Sequence, residues 1–468
     1  MAEQQPKASP PPTATPAMLR RLLSIAFPMI ISQTSETVML FVDRLFLSRV
    51  SKLHLAAAMS GGLANFTVAS LFVGVAGYVN AIVAQYYGAK QPEHCARAVS
   101  QAIFFSFTAV PVLLGVSIVI PTFFEWMGHD PEQIPLETTY ARWLLAGAII
   151  LLLRHALTGF FLGIGRTRIV MLSNIAAMFV NIPLNYVLIF GVMGFPELGM
   201  VGAAIGTLGG GLTAMLILLG AYLSKRMDAM YGTRSAWRFD IAMFKRLLRF
   251  GTPAGIEIFL NLLAFNLFVQ LMHGYGAEVA AATTIAFNYD IVSFIPMLGL
   301  GVATTALVGQ YIGANDPEGA RKTALLALRV GWIYSGAMMV LFFIAARPLV
   351  ALFASGFEDT GAVSELARTM LRLVGLYVVA DSTQLVFAGA LRGSGDTAWV
   401  MRASALLHWI FAAVVVVLIG VVGAPPLVVW GFFIAFVLTL SLAMFLRFRS
   451  GKWTKFRIID RPGDVVIP

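Results

Sequence analysis

The stretch "VAQYYGAKQPE", Val83 to Glu93, returns downstream as "VGQYIGANDPE", Val308 to Glu318. Seven of the eleven positions are identical, at an offset of 308 − 83 = 225. A second pair, "GFFLGIGRTRIVM" from Gly159 and "GALRGSGDTAWVM" from Gly389, shares six of thirteen positions at an offset of 230. The two matches occur in the same order along the chain and at nearly the same offset, which argues against chance similarity between Gly-rich loops. They predict that the chain is built from two related halves.

Both copies interrupt long apolar runs in a chain of 468 residues that is 59% hydrophobic and 12% charged. A soluble protein has about twice that fraction of charge. Runs of 18 or more apolar residues can cross a bilayer as helices. We therefore predict an all-α membrane protein with twelve transmembrane helices, over residues 22–48, 55–87, 97–121, 138–162, 168–191, 199–223, 242–272, 278–311, 322–349, 363–390, 398–422 and 427–446.

The first helix of each half contains a proline, and Pro28 and Pro253 are again 225 positions apart. Because six is an even number of helices, both halves should have the same orientation, related by an axis along the membrane normal with a cavity between them. The predicted division is a disordered cytoplasmic tail (1–20), an N-lobe (21–223), a cytoplasmic linker (224–241), a pseudo-symmetric C-lobe (242–446) and a basic cytoplasmic tail (447–468).

Basic residues indicate the orientation. If the N-terminus is cytoplasmic, 25 of the 33 Lys and Arg fall in cytoplasmic segments, seven fall on the opposite side, and Arg154 lies deep in a span. This bias follows the positive-inside rule and predicts that both termini are cytoplasmic. The net charge of +10 is therefore a topology signal, and we expect no nucleic-acid partner.

Several classes of site are excluded by composition. The chain has one cysteine, Cys95, and six histidines without zinc-binding spacing. It has no G-x-S-x-G, Walker A or G-x-G-x-x-G string. We therefore expect neither an enzyme nor a cofactor.

Five acidic residues lie well inside the predicted spans, away from the first positions of each span: Glu36, Asp43, Glu257, Asp290 and Asp381. Each costs about 2.5–3.5 kcal/mol at mid-membrane, so each should face a cavity or a partner. Desolvation disfavours the charged form of a carboxylate, which can then take up a proton or hold a cation. This is the chemistry that an ion-coupled exporter of cations needs.

A structural role remains open for three of these acids. Asp43 precedes Arg44 near the outer end of its helix and could form an interfacial ion pair. Glu36 could pair with a nearby basic residue. Asp290 follows Asn288 and Tyr289 and could belong to a locally satisfied polar cluster.

Two acids favour a functional role more strongly. Glu257 lies four residues after Pro253, where a broken helix exposes backbone carbonyls that could help to bind a cation. Asp381 lies well inside its apolar run. Arg154 either snorkels or pairs with a carboxylate.

The fifth helix carries Asn174, Asn181 and Asn185 on one face, at spacings of seven and four residues. Hydrogen bonding between helices is the alternative to a binding role for these amides. Gly202, Gly206 and Gly210 in the sixth helix form overlapping G-x-x-x-G steps, which are typical of close helix packing.

The chain resembles the multidrug and toxic compound extrusion (MATE) family, in its bacterial NorM-like branch. The resemblance extends from Leu22 to about Leu446, and the motifs that carry it are "FVDRLFLS", "QYYGAKQPE", "NIPLNY", "GTPAGIE", "GQYIGANDPE" and "LRGSGDT". It implies a secondary antiporter of the bacterial inner membrane that exports cationic, lipophilic drugs in exchange for sodium ions or protons.

The resemblance also implies roles for individual residues. Glu257 and Asp381 match the C-lobe cation site, a possible sodium site, with Tyr289 as a neighbour. Asp43, Asn181 and Asn185 match the polar cluster of the N-lobe, and Glu36 and Asp290 are added as further cavity residues. Some proton-coupled relatives carry Asp where this chain has Asn185. This departure argues against a proton mechanism confined to the N-lobe, and the C-lobe acids favour sodium.

We thus expect a monomer whose partners are small lipophilic cations and membrane lipids. A flippase for a lipid-linked saccharide is the alternative, but it would need several basic residues in the cavity for a pyrophosphate. An intramembrane enzyme would need a paired catalytic constellation, and none stands out in the sequence.

Overall fold

The computed structural model describes residues 15–354 and 360–459. Within these ranges the chain is helical, without β-strands. Its helices are α1 (Thr15–Val50), α2 (Lys52–Gly77), α3 (Val79–Gly88), α4 (Pro92–Trp126), α5 (Ile134–Ala146), α6 (Ala148–Gly163), α7 (Thr167–Phe190), α8 (Gly199–Tyr222), α9 (Lys225–Tyr231), α10 (Ile241–His273), α11 (Ala277–Gly313), α12 (Pro317–Ile344), α13 (Ala346–Ala354), α14 (Thr360–Ser394), α15 (Thr397–Val417) and α16 (Pro426–Arg449).

The predicted membrane spans are present with two interruptions. Eleven spans in the described residues are long and apolar enough to cross a bilayer, and a twelfth forms if α5 and α6 count together. The chain bends by 47° between α5 and α6, at Gly147. The side chain of Leu208 in α8 occupies the place where a Cβ at Gly147 would lie, so any larger residue at this bend would displace Leu208. The span formed by α2 and α3 is interrupted at Tyr78.

Two of the predicted boundaries differ clearly from the structure. α1 begins at Thr15, so the prediction of disorder is wrong for residues 15–20, while residues 1–14 lie outside the described part. Met18 and Leu22 are buried against C-lobe helices, which explains why the helix starts this early. The span predicted at 322–349 ends at Ile344 and is followed by the separate helix α13.

The segments predicted as linker and tail are both partly ordered. The 224–241 linker contains α9, which the Ser224 hydroxyl caps by accepting from Met227 N–H. α16 extends to Arg449, and residues 450–459 fold back against the bundle with a 3₁₀ turn at Lys452–Lys455. Residues 460–468 lie outside the described part of the chain.

The helices pack as two lobes that exchange contacts symmetrically. α1–α8 pack with one another, as do α10–α16, and the lobes meet where α1 contacts α11, where α2 contacts α10 and where α3 contacts α11. By the repeat offset, α10 corresponds to α1, and α11 corresponds to α2 and α3. The α1–α11 contact and the α2–α10 contact therefore both pair the first span of one lobe with the second span of the other.

Both described chain ends lie at one end of the bundle, which we call the terminal end. It also holds the turns at 89–91, 164–166, 314–316 and 395–396. The tight contacts between the lobes concentrate in this half of the molecule. For example, Tyr78 donates from its hydroxyl to Arg392 O at 2.8 Å, and a Cβ on Gly251 would lie 3.1 Å from Val75 O. The lobes are thus closed against each other at the terminal end.

Candidate functional site

The N-lobe holds Asp43 in a cluster of neutral polar groups. Asp43 is 4% exposed, and it accepts hydrogen bonds from Asn185 Nδ2 and, at 3.2 Å, from Thr207 Oγ1. Asn181 lies beside the same carboxylate. No ion pair joins Asp43 to Arg44 or to any other basic residue in the described part of the chain. Asp43 is therefore an uncompensated acid in a polar pocket rather than half of an interfacial pair.

Helix packing positions the two asparagines of this cluster. Asn181 and Asn185 lie on the predicted face of α7, buried against α8. A Cβ on Gly206 would overlap the amide oxygen of Asn185, and a Cβ on Gly210 would lie 2.9 Å from Asn181 Cβ. The glycine stripe of α8 therefore packs as predicted, and it also makes room for the two amides.

The amide oxygens of Asn181 and Asn185 are buried, and neither accepts a hydrogen bond from the described residues. Asn185 turns its Nδ2 toward Asp43 and its oxygen toward Gly206. The Asp43 carboxylate itself is the type of oxygen donor that hard cations prefer. Thr207 completes the cluster and was missed from the sequence. Thr207 directly follows Gly206, on the helix that must approach α7 closely. This position was the sequence feature that could have indicated Thr207 as a neighbour of Asp43.

Glu36 and Arg154 form a second polar group in the N-lobe. Arg154 Nη1 lies 2.8 Å from Glu36 Oε1, and Asn174 Nδ2 donates to the same oxygen at 3.0 Å. Asn174 also donates to Ser32 Oγ at 2.5 Å. Of the alternatives left open by the sequence, Arg154 pairs with a carboxylate and Glu36 pairs with a basic residue. Their charges offset each other.

The C-lobe places Glu257 in a bidentate ion pair. Glu257 is 1% exposed, and Arg392 donates from Nη2 to Oε1 at 2.5 Å and from Nε to Oε2 at 3.3 Å. Arg392 stands near the end of α14, 135 positions away, and the sequence did not indicate it as the partner. The structure pairs Glu257 with this guanidinium and not with Asp381.

Asp381 lies next to a different acid, Asp290 of α11. The two carboxyl groups interact electrostatically, and the Tyr377 hydroxyl, one turn before Asp381 on α14, lies beside Asp290. Within the described residues, neither Asp290 Oδ1 nor the Tyr377 hydroxyl makes a hydrogen bond of good geometry. No basic residue in the described ranges pairs with either acid. Tyr377 was missed because tyrosine in an apolar run resembles ordinary packing.

The neighbours of Asp290 in sequence do not satisfy it. Asn288 donates to Thr284 O at 2.8 Å, and Tyr289 donates from its hydroxyl to Leu349 O at 2.7 Å. The Tyr289 ring packs edge-on against Phe353. The interpretation of a local Asn288–Tyr289–Asp290 cluster is therefore wrong, and Tyr289 faces α13 instead of Asp381.

Three intramembrane acids thus lack a basic partner in the described part of the chain: Asp43, Asp290 and Asp381. An unpaired charge at membrane depth is costly, so each of these acids needs a proton or a bound cation. The described residues hold no group of three or more His, Cys, Asp or Glu side chains suited to a metal ion. A sodium ion would therefore depend on amide, hydroxyl and backbone oxygens as well.

Comparison with known proteins agrees with this architecture. The family model described as MatE matches residues 28–187 and 253–422, which together cover more than half of the chain. The two matches begin at Pro28 and Pro253, the prolines of the internal repeat.

The chain belongs to the MATE family.

Within the family, this MATE protein belongs to the bacterial NorM-like branch. It is 29% identical over 421 residues to the probable multidrug resistance protein NorM of Bradyrhizobium diazoefficiens, covering 87% of this chain and 88% of the relative. It is 28% identical over 462 residues to the multidrug resistance protein MdtK of Proteus mirabilis, covering 96% and 97%. The MATE protein is a multi-span membrane transporter and not an enzyme.

Solved structures show the same fold. A transporter of the MOP superfamily from Pyrococcus furiosus matches with a TM-score of 0.84 at 20% identity, covering 94% of this MATE protein and 97% of that chain. The eukaryotic MATE transporter AtDTX14 matches with a TM-score of 0.82 at 20% identity and the same coverage. The two-lobed helical fold predicted from the sequence is confirmed.

Proposed function

We propose that this MATE protein is a secondary multidrug antiporter of the bacterial inner membrane, which exports lipophilic cations in exchange for sodium ions or protons. The observation that carries the proposal is the set of three membrane-embedded acids without a basic partner among the described residues: Asp43, Asp290 and Asp381. The names of its relatives as multidrug resistance proteins support the substrate class.

The bias of Lys and Arg supports a cytoplasmic location for the terminal end. The described conformation is then closed toward the cytoplasm, and in this proposal it is the outward-facing state of the transport cycle. Coupling ions from outside would reach the acids in this state, as the inward ion gradient requires.

Coupling would centre on Asp381 and Asp290 in the C-lobe. Two adjacent carboxyls cannot both carry a charge at low cost, so they hold a shared proton or a cation between them. A cationic substrate competes for the same charge, and release follows when the coupling ion replaces it. In this proposal Glu257, which was predicted to bind the ion together with Asp381, is held by Arg392 and helps to shape the site. Asp43 with its amide neighbours provides a second acidic site in the N-lobe.

A flippase for a lipid-linked saccharide has less support. It would need basic groups free to bind a pyrophosphate. Arg154 pairs with Glu36, and Arg392 pairs with Glu257. The two guanidiniums that come closest to such a role are therefore already offset by carboxylates.

The experiment that tests the proposal is export of a fluorescent lipophilic cation from proteoliposomes, driven by a sodium gradient alone and then by a pH gradient alone. We expect one gradient to drive export by the wild type. Asp381→Asn and Asp290→Asn should each lower gradient-driven export at least about tenfold, since a neutral amide can neither take up a proton nor offset a cation.

The matched control is Glu365→Gln on the same helix. The Glu365 side chain lies away from the acid pair and is 69% exposed. It should export at the wild-type rate. Wild-type export by both Asp variants would overturn the site assignment, and failure of both gradients to drive export would overturn antiport.

A further inference from the structure

The repeated stretch that reveals the two halves also joins them. Gln85 and Gln310 occupy equivalent positions, since 310 − 85 = 225. Both side chains are fully buried. Gln310 Nε2 donates to Gly163 O at 2.7 Å, and Gln85 Nε2 donates to Gly393 O at 2.9 Å. The acceptors are equivalent too, since 393 − 163 = 230. Each glutamine therefore crosses the lobe interface at the terminal end and bonds a turn of the other lobe.

The side-chain oxygens of the two glutamines do not follow this symmetry, because they accept hydrogen bonds from non-equivalent donors. Arg21 Nη2 donates to Gln310 Oε1 at 2.6 Å. The equivalent of Arg21 is Arg246, since 246 − 21 = 225, but Arg246 donates to the hydroxyl of Tyr86 instead. Gln85 Oε1 accepts the backbone N–H of Ile458 at 3.0 Å, in a buried hydrogen bond. The C-terminal segment thus binds the N-lobe glutamine, whereas α1 binds its counterpart.

The segment 450–459, which we call the C-terminal strap, is anchored on the C-lobe. Trp453 is buried, donates from Nε1 to Phe448 O at 2.8 Å and stacks on the Phe448 ring at a centroid distance of 5.0 Å. Arg457 donates to the side-chain oxygen of Asn315 in the turn that precedes α12. These contacts hold the first part of the strap to one lobe.

The end of the strap is buried mainly against the other lobe. Ile458 and Ile459 belong to an apolar cluster built largely from N-lobe helices, to which α10 of the C-lobe contributes Met243 and Leu247. Ile458 also lies beside Gly395 at the end of α14. With the Ile458–Gln85 hydrogen bond, the strap therefore spans the joint from the C-lobe anchor at Trp453 to the N-lobe glutamine.

We propose that the C-terminal strap is a latch that holds the terminal end of the transporter closed. Separation of the lobes at this end moves Gln85 away from Gly393, so the strap must release either Ile458 or its C-lobe anchor. Either release exposes apolar side chains and leaves buried polar groups without partners, which disfavours the open state. The latch rests on alternating access, which is part of the proposed function, but it does not depend on which ion or substrate is transported.

Pulsed electron paramagnetic resonance between spin labels on the two lobes tests the latch in the full-length protein. Suitable positions are Glu93 and Glu318, which are equivalent (318 − 93 = 225) and exposed at the starts of α4 and α12. The labels are introduced as Glu93→Cys and Glu318→Cys on a Cys95→Ala background, which removes the single native cysteine. The short inter-label distance reports the closed terminal end, and the long distance reports the open one.

Ile458→Pro removes the N–H that Gln85 accepts without touching the Gln85 side chain. Gln85→Leu removes the acceptor and also the direct hydrogen bond from Nε2 to Gly393 O. We expect each to raise the ratio of long-distance to short-distance populations about five- to tenfold, as loss of a buried hydrogen bond predicts. Ile458→Ala keeps the N–H but loses apolar contact, and it should give a smaller rise in the same direction. Lys455→Ala, at an exposed strap position, is the matched control and should leave the populations unchanged.

An unchanged distance distribution in a folded Ile458→Pro variant would overturn the latch. If that variant does not fold, unchanged distance distributions in both single variants, Ile458→Ala and Gln85→Leu, would overturn the latch instead. A shift in these variants while the wild type shows no gradient-driven export would support the latch and contradict the proposed antiport.

Discussion

At the scale of single residues, the ion pair with Arg392 changes the role assigned to Glu257, which was predicted from the sequence to bind a cation. The carboxylate is almost fully buried, and both of its oxygens are engaged by one guanidinium. A buried pair of this kind contributes little compared with two apolar side chains, but loss of one partner leaves a charge without compensation. Glu257 therefore depends on Arg392 for its stability in the lobe.

A double-mutant cycle measures this dependence. Arg392→Met should destabilise the protein by about 3–5 kcal/mol, because the Glu257 carboxylate loses its partner. The double variant Glu257→Gln/Arg392→Met should be more stable than Arg392→Met alone, since the orphaned charge is removed as well. Thermal and denaturant unfolding in detergent provide the measurement.

Arg402→Met is the control for this cycle. Arg402 is exposed on α15, and its Nε donates only to Ala398 O, four residues earlier, among the bonds seen in the described chain. Its loss should cost well under 1 kcal/mol. Equal stability of Arg392→Met and Arg402→Met would contradict the structural role assigned to the ion pair.

At the scale of helices, the fit of α7 against α8 decides the geometry around Asp43. α8 carries glycine where α7 carries the asparagines, and Gly206 leaves the space that the Asn185 amide fills. Parallel packing of α1 on α7 places the bonded pairs Ser32–Asn174 and Asp43–Asn185 eleven residues apart on both helices (43 − 32 = 185 − 174 = 11). Eleven residues are about three helical turns, so a single helix face carries both contacts.

Two glycine substitutions on α8 separate packing from helix propensity. Gly206→Ala should destabilise the protein by about 1–3 kcal/mol and lower export, because the added methyl group displaces the Asn185 amide from Asp43. Gly220→Ala, on the same helix with no neighbouring atoms at the Cβ position, should be neutral or stabilising by about 0.5–1 kcal/mol. Melting temperature and export rate are measured for both. Gly206→Ala with wild-type values in both measurements would contradict the packing argument.

At the scale of the whole molecule, the duplication preserves backbone positions while the polar chemistry of the lobes has diverged. Asn261 donates to Ser404 at 3.0 Å in the C-lobe. The repeat offsets make this the counterpart of the Glu36–Asn174 contact in the N-lobe (261 − 36 = 225; 404 − 174 = 230). By contrast, Phe268 stands where Asp43 would repeat.

The same divergence appears at the second span of each lobe, where Asn65 occupies the position equivalent to Asp290 (290 − 65 = 225). The two lobes therefore carry their uncompensated acids on different helices. The lobes therefore share a scaffold but place different residues at the proposed ion sites.

The proposed orientation gives a prediction for the molecule as a whole. A green fluorescent protein fused after Pro468 should fluoresce, whereas alkaline phosphatase at the same place should be inactive, because the terminal end is proposed to be cytoplasmic. Alkaline phosphatase inserted into the 191–198 turn, at the opposite end of the bundle, should be active. The reverse pattern would contradict both the orientation and the assignment of an outward-facing state.

Much of the architecture could be predicted from the order of residues alone. Apolar runs indicated twelve spans, the repeat indicated two lobes, and the asparagine and glycine periodicities indicated one polar face on α7 and one close-packing face on α8. These features are local, because hydropathy over about 20 residues determines whether a helix can lie in a bilayer, and helical spacing determines which side chains share a face. The acids were found for the same reason, since a charge in an apolar run is visible without knowledge of its neighbours.

The partners of those acids were decided only by the tertiary structure. Glu257 meets Arg392 across 135 positions, Asp381 meets Asp290 on another helix, and Gln85 meets Ile458 across 373 positions. The sequence contains all of these residues, and even the repeat that carries Gln85, but it does not show which faces meet. Burial makes an unpaired polar group costly, so the packing of the helices selects its partners. The sequence by itself determined the spans, the duplication and the identity of the acids. The packing of the two lobes decided which acids are compensated, which need an ion, and where the chain end joins the lobes.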